Sequence, residues 1–145
     1  MKFNFKLQKV LSYKKTVENQ KKNQYGIIQQ KLNREEDKLD NFNRHKNHLE
    51  NEKQLSAVKT KVGNLVMYNA YINDIMASIK VQENIVAKTK DELEEAKEEM
   101  VEALRDKKTF ERLKENQYRE YLYQLEKQEE KQIDSLISYK ASTQQ

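Results

Sequence analysis

His45 and His48 are the only imidazoles in the chain. Three residues apart, they share a face if that stretch is helical, and together they offer a metal two nitrogens. A structural or catalytic zinc needs at least three protein ligands, and there is no cysteine to add another. The pair therefore reads as solvated or seam-flanking side chains. Carboxylates crowd residues 91–99, yet on a helix they fan around an exposed face instead of converging. Acid–base catalysis needs convergence in a cavity that restricts water. Neither GxxxxGK[ST] nor GxGxxG occurs, so those routes to a nucleotide are closed. Lys14, Lys15, Lys21 and Lys22 put two basic pairs on about two helical turns. A net charge of only +4, with acidic residues concentrated elsewhere, makes a weak attraction for phosphate. These residues predict no catalysis, metal, cofactor or nucleic-acid partner, and point to a protein that acts by binding.

The elements that must carry such binding follow from what is missing. The 145 residues include no Pro, Trp or Cys and only two glycines, Gly26 and Gly63, so the chain has few means of turning. Hydrophobic and charged residues each make up 36%, a composition shared by long helices and disordered chains, and periodicity decides between them. Steps of three and four from Ile72 give Ile75, Ile79, Gln82, Val86, Thr89, Leu93, Ala96, Met100, Ala103, Lys107 and Phe110. Nine of those twelve positions are apolar, the spacing of a coiled-coil seam. The seam is then expected to slip and continue through Leu113, Tyr118, Leu122, Leu125, Ile133 and Leu136. In the first half, Leu7, Val10, Lys14 and Val17 hold one register. Ile28, Leu32, Glu35, Leu39, Phe42, Lys46 and Leu49 hold another, with a stutter expected near Tyr25 and Gly26.

The one credible turn lies in residues 56–64, where β-branched residues precede Gly63 and Asn64. The expected fold is all-α: a long antiparallel two-helix coiled-coil hairpin. Its helices cover about residues 5–57 and 65–139, the turn about 58–64 and a short flexible tail 140–145. At 1.5 Å per residue the arms would be roughly 80 and 110 Å long. Charge agrees with antiparallel arms: residues 1–62 hold 15 Lys/Arg against 7 Asp/Glu, while residues 63–145 hold 13 against 17. The turn would set Leu7 opposite about Lys114 and leave the chain beyond about Tyr118 without an intramolecular partner. That overhang keeps Tyr121, Leu122, Leu125, Ile133, Leu136 and Ile137, and an apolar stripe on an unpaired helix predicts a binding element. No stretch approaches the ~20 apolar residues of a membrane span, and the start lacks the apolar core of a secretory signal. The expectation is a cytosolic protein that meets membranes only peripherally, through a partner.

Motifs along the chain carry a resemblance. Phe3-Asn-Phe5-Lys-Leu7-Gln-Lys-Val10-Leu11, followed by Lys14, Lys15 and Glu18, resembles the F-x-F-x-L-Q-K-V-L opening of FliJ-family proteins. Tyr71-Ile72-x-x-Ile75-x-x-x-Ile79 is similar to the family's Y-I-x-x-L-x-x-x-I. Ala103, Lys107, Lys108, Phe110, Glu111, Leu113 and Lys114 resemble a later segment of it. Glu129-Glu-Lys131-Gln-Ile133-Asp134 resembles a closing E-Q-K-x-L-D-E, from which Glu130 and Ser135 depart.

The resemblance implies a non-enzymatic, stalk-like component of bacterial flagellar type III protein export, and so of flagellum biogenesis and motility. By it, the partners are the hexameric flagellar export ATPase, the cytoplasmic domain of the membrane export gate, and export chaperones. The place is the cytoplasmic side of the cell membrane at the flagellar base. The implied ATPase-ring contact is Leu7, Leu11, Tyr121, Leu122, Leu125, Ile133 and Leu136. The implied gate contact is Phe42, His45, Leu49, Tyr71, Ile75, Ser78 and Gln82. Two alternatives stay open: a general coiled-coil scaffold, and the equivalent stalk of a virulence secretion system.

Overall fold

The computed structural model describes residues 2–57 and 62–143. Two helices account for nearly all of them: α1 (Gln8–Ala57) and α2 (Val62–Thr143). They pack against each other as an antiparallel coiled-coil hairpin with the second helix longer, the expected fold class. The expected turn falls largely on residues 58–61, which lie outside the described residues. Val62, Gly63 and Asn64 are already helical, and Gly63 has no positive φ, so its capacity for a left-handed cap is unused. Helix α1 starts at Gln8 instead of Phe5. Phe5 is buried outside the helix, and its carbonyl accepts a hydrogen bond from the Gln8 N–H at 3.1 Å. At the far end α2 runs past Tyr139, into the stretch expected to be a flexible tail. The Ser142 and Thr143 hydroxyls there donate to the Tyr139 carbonyl at 3.0 Å.

The hairpin divides into two compact units, one of residues 20–101 and one of residues 1–19 with 102–145. In the first, Leu32 and Leu49 of α1 and Ile72, Ile79, Val86 and Ala96 of α2 form the buried core. Every expected seam position of α2 in this unit is buried or half-buried. Two seam positions are polar and self-consistent. Thr89 donates its hydroxyl to the Ile85 carbonyl at 2.7 Å, which satisfies the group within its own helix. Gln82 donates across the interface to the Glu35 backbone carbonyl at 2.9 Å and to its carboxylate. The flanks carry Lys21–Glu99 at 3.1 Å and Lys31–Glu92 at 3.2 Å, base on α1 and acid on α2, as the charge of the two halves predicts.

In the second unit the core is Phe5, Leu11 and Ala103, with Glu18 buried among seam positions. Lys107 reaches Glu18 at 2.7 Å and Lys14 reaches Asp106 at 3.6 Å. Lys114 donates to Gln8 at 2.7 Å, matching the expected level of Leu7 with Lys114.

The buried positions follow neither expected slip. Along α1 positions 11, 14, 18, 21, 25, 28 and 32 are all buried or half-buried and form unbroken steps of three and four, with Val10, Val17 and Gly26 half-buried beside them. The sequence looks slipped only because Glu18 and Lys21 hold seam positions that apolarity alone would skip. A carboxylate can sit there because Lys107, itself at the seam, pairs with it. Along α2 the half-buried positions after Phe110 include Lys114 and Tyr121, in the original register, while Leu113, Tyr118 and Leu122 are exposed. Lysine stems cover apolar surface with their charge in water, so the seam needs no leucine at that level.

Candidate docking surfaces

The first surface lies in the unit of residues 20–101. His45 and Leu49 of α1 and Tyr71, Asp74, Ile75 and Ser78 of α2 line an open groove of about 400 Å³. An adjoining depression is lined by Leu49, Glu52, Ser56, Asn64, Met67, Tyr68 and Tyr71. Leu49 and Tyr71 belong to both. Leu49 is nearly buried and forms part of the floor, whereas Tyr71 is 54% exposed. An exposed tyrosine offers a flat apolar body with a hydroxyl at its end, the chemistry of an interface anchor. On the rim, His48 Nε2 lies 2.9 Å from Glu52 Oε1.

Five of the seven residues expected at the gate contact meet in this groove: His45, Leu49, Tyr71, Ile75 and Ser78. Phe42 is half-buried and does not line it. Gln82 is a correction, because it is buried and held by Glu35, which makes it part of the core. Met67, Tyr68 and Asp74 went unread in the sequence. The signal was available, since residues 62–79 contain a single charged residue, Asp74, in a chain where over a third are charged.

The second surface is the free end of α2. Phe3 packs edge-on to Tyr118 at 5.2 Å and lies against Tyr121 at 5.6 Å, so the extended N-terminal residues carry the pairing to Tyr121 instead of ending it at Tyr118. Beyond that, every described residue from 122 to 143 is exposed. Leu122, Leu125, Ile133 and Leu136 are exposed as expected, joined by Ile137 and Tyr139. Leu7 is partly exposed, but Leu11 is 1% exposed, locked in the hairpin core, and is no surface residue. The stripe sits one residue past the hairpin seam. Tyr118, Leu122, Leu125, Leu136 and Tyr139 each follow a position that would extend the register of Phe110, Lys114 and Tyr121. One residue is about 100° of rotation, so this apolar face is turned about a quarter-circle from the side that α1 occupies.

Among the described residues no group of three or more His, Cys, Asp or Glu could hold a metal, and no helix is long and apolar enough to cross a membrane. Glu92 and Glu99 of the acidic run are paired with lysines across the hairpin. Two perturbed groups are structural. The Gln82 hydrogen bond holds the Glu35 carboxyl below its ordinary range against opposing desolvation, helped by Lys38 and Lys31. The hydrogen bond to Glu18 holds Lys107 above its ordinary range, again against desolvation.

A family model described as flagellar FliJ protein matches residues 2–145, the whole of the chain but its first residue. The chain belongs to the FliJ family. Membership makes it a component of type III protein export. The FliJ-family chain is also similar to a solved structure described as a YscO homologue, CT670, from Chlamydia trachomatis. Identity is 23% over 93% of each chain, with a TM-score of 0.48. A search of curated proteins returns no match.

Proposed function

We propose that this FliJ-family chain is a non-catalytic coupling factor of flagellar protein export, binding the export ATPase ring through the free end of α2 and the export gate through the Tyr71 groove. The observation that carries the reading is the exposed set of Leu122, Leu125 and Leu136, three leucines of one 3-4 register whose middle positions are polar, standing where α1 no longer covers α2. Among the described residues nothing in the hairpin buries those side chains, and we read them as answering to another molecule. Leu7 near the level of Lys114, Tyr121 where pairing ends, and the exposed Ile133 complete the ring-facing end. His45, Tyr71, Ile75 and Ser78 form the gate-facing surface, with Leu49 as its floor. Export chaperones are further partners, and the chain meets the membrane only through the gate, at the cytoplasmic side of the flagellar base. It turns over no substrate. A helical end seated in a ring stimulates hydrolysis by contacting some ATPase conformations better than others, and so shifts their populations.

The test is ATP hydrolysis by the matching flagellar export ATPase with the full chain and with a chain truncated after Tyr121. The truncation keeps the Phe3–Tyr121 contact and removes only the exposed stripe. Stimulation by the full chain and its loss on truncation support the reading. Absence of both stimulation and co-elution replaces it with that of a general coiled-coil scaffold.

A further inference from the structure

The stripe on the free end of α2 has a composition that selects its occupant. Its seam positions are Leu122, Leu125, Glu129, Gln132, Leu136 and Tyr139, about three heptads with apolar ends and a polar middle. Read in reverse, the same positions pair Leu122 with Tyr139, Leu125 with Leu136 and Glu129 with Gln132. Two copies laid antiparallel therefore bury apolar against apolar at both ends and place a carboxylate beside an amide donor in the middle. A parallel pair would set Glu129 against Glu129 at the seam, which repels. Residues 118–143 hold four Lys/Arg against five Asp/Glu with the signs interspersed, so two copies do not repel as segments. A polar layer inside an otherwise apolar seam fixes alignment, since sliding the helices would bury the Glu129 carboxylate without a partner.

We infer that two copies of the free chain pair antiparallel through the exposed end of α2, covering the same stripe that meets the ATPase ring. The pairing stands on the stripe alone; the masking of the ring contact rests on the function proposed above. A stripe left open would be a liability for solubility, and self-pairing covers it until a better partner displaces the second copy. The ring then binds only the unpaired fraction, which lowers its apparent affinity in proportion.

Sedimentation velocity of the intact chain over a range of concentration tests the pairing. The expected result is a shift from 17.4 kDa to twice that mass as concentration rises, abolished by Leu125→Glu or by truncation after Tyr121. A chain that stays monomeric throughout, or a dimer that survives truncation, overturns the inference. Orientation is read by cysteines, which the natural chain lacks. Leu122→Cys with Tyr139→Cys should form disulfides between copies. Leu122→Cys alone should not, because antiparallel pairing separates the two copies of residue 122 by roughly 25 Å. A disulfide from the single variant would establish parallel pairing and sink the antiparallel register. The cross-linked dimer should then fail to bind the export ATPase until reduced, and equal binding before and after reduction refutes masking. Should neither form bind the ATPase, the proposed function fails while sedimentation still decides the pairing.

Discussion

The hairpin seam and the stripe on the free end of α2 share one arithmetic and meet different fates. Both repeat apolar residues at steps of three and four, and both lie on the same continuous helix. Along the seam, α1 fills the facing side, and even Glu18, Gln82 and Thr89 are buried. Along the stripe no described residue covers the helix, and Leu136 is 61% exposed. Periodicity therefore says that a face is to be covered and not what covers it. The covered face tolerates polar residues because a fixed partner satisfies them, as Lys107 does for Glu18 and Glu35 for Gln82. The open face shows its leucines to water, a condition that persists only where another molecule is the intended cover.

The largest expected effect sets one side of that contrast against the other in urea. Leu11→Ala, at the most buried apolar site, should cost about 3 kcal/mol of stability. Leu122→Ala, on the stripe, should change stability by less than about 0.5 kcal/mol. Equal losses would mean that the end of α2 is packed in the free chain, as the self-paired form requires at high concentration, so the comparison belongs at low concentration.

Tyr71→Ala should weaken binding to the gate's cytoplasmic domain about 30-fold, the loss of a central aromatic anchor, with the urea midpoint unchanged. Unchanged affinity in a titration would remove the groove from the gate contact.

The buried pair gives a smaller effect on stability. Lys107→Met should lower the urea midpoint, though by less than Leu11→Ala, because it removes the Lys107 ammonium that pairs with the buried Glu18 carboxylate at 2.7 Å. Adding Glu18→Leu should restore the midpoint. A double variant no better than the single would show that the pair does not set the cost.

The smallest effect is in pH. Glu35 lies below its ordinary value of 4.5 when folded, so its contribution is present above that value and lost as pH falls through the lowered one. Lys107 lies above 10.5 when folded, so its contribution is present below 10.5 and lost as pH rises through the raised value. Gln82→Leu should move the Glu35 titration, followed by carboxyl NMR shifts, back toward 4.5, because the amide donor is the main cause of the depression. No movement would assign the depression to Lys38 and Lys31 instead.

By itself the sequence determined that this chain is helix without a tertiary globule. It lacks the Pro and Gly that turns need, and steps of three and four from Ile72 place all twelve seam residues of α2 at buried or half-buried positions. It also determined that the far end of α2 is apolar beyond the reach of α1, since arm lengths follow from where the chain can turn. Only the tertiary structure decided the register of α1 and the state of individual side chains. Glu18 looks like a surface residue until Lys107 is set against it from a position 89 residues later in the chain. Leu11 and Gln82 look available until the opposite helix covers them, and Phe3 extends the pairing to Tyr121 from outside any helix. The reason is geometric. A repeat fixes which residues share a face of one helix, while burial, partners and grooves depend on the stagger of the second helix, which no local pattern encodes.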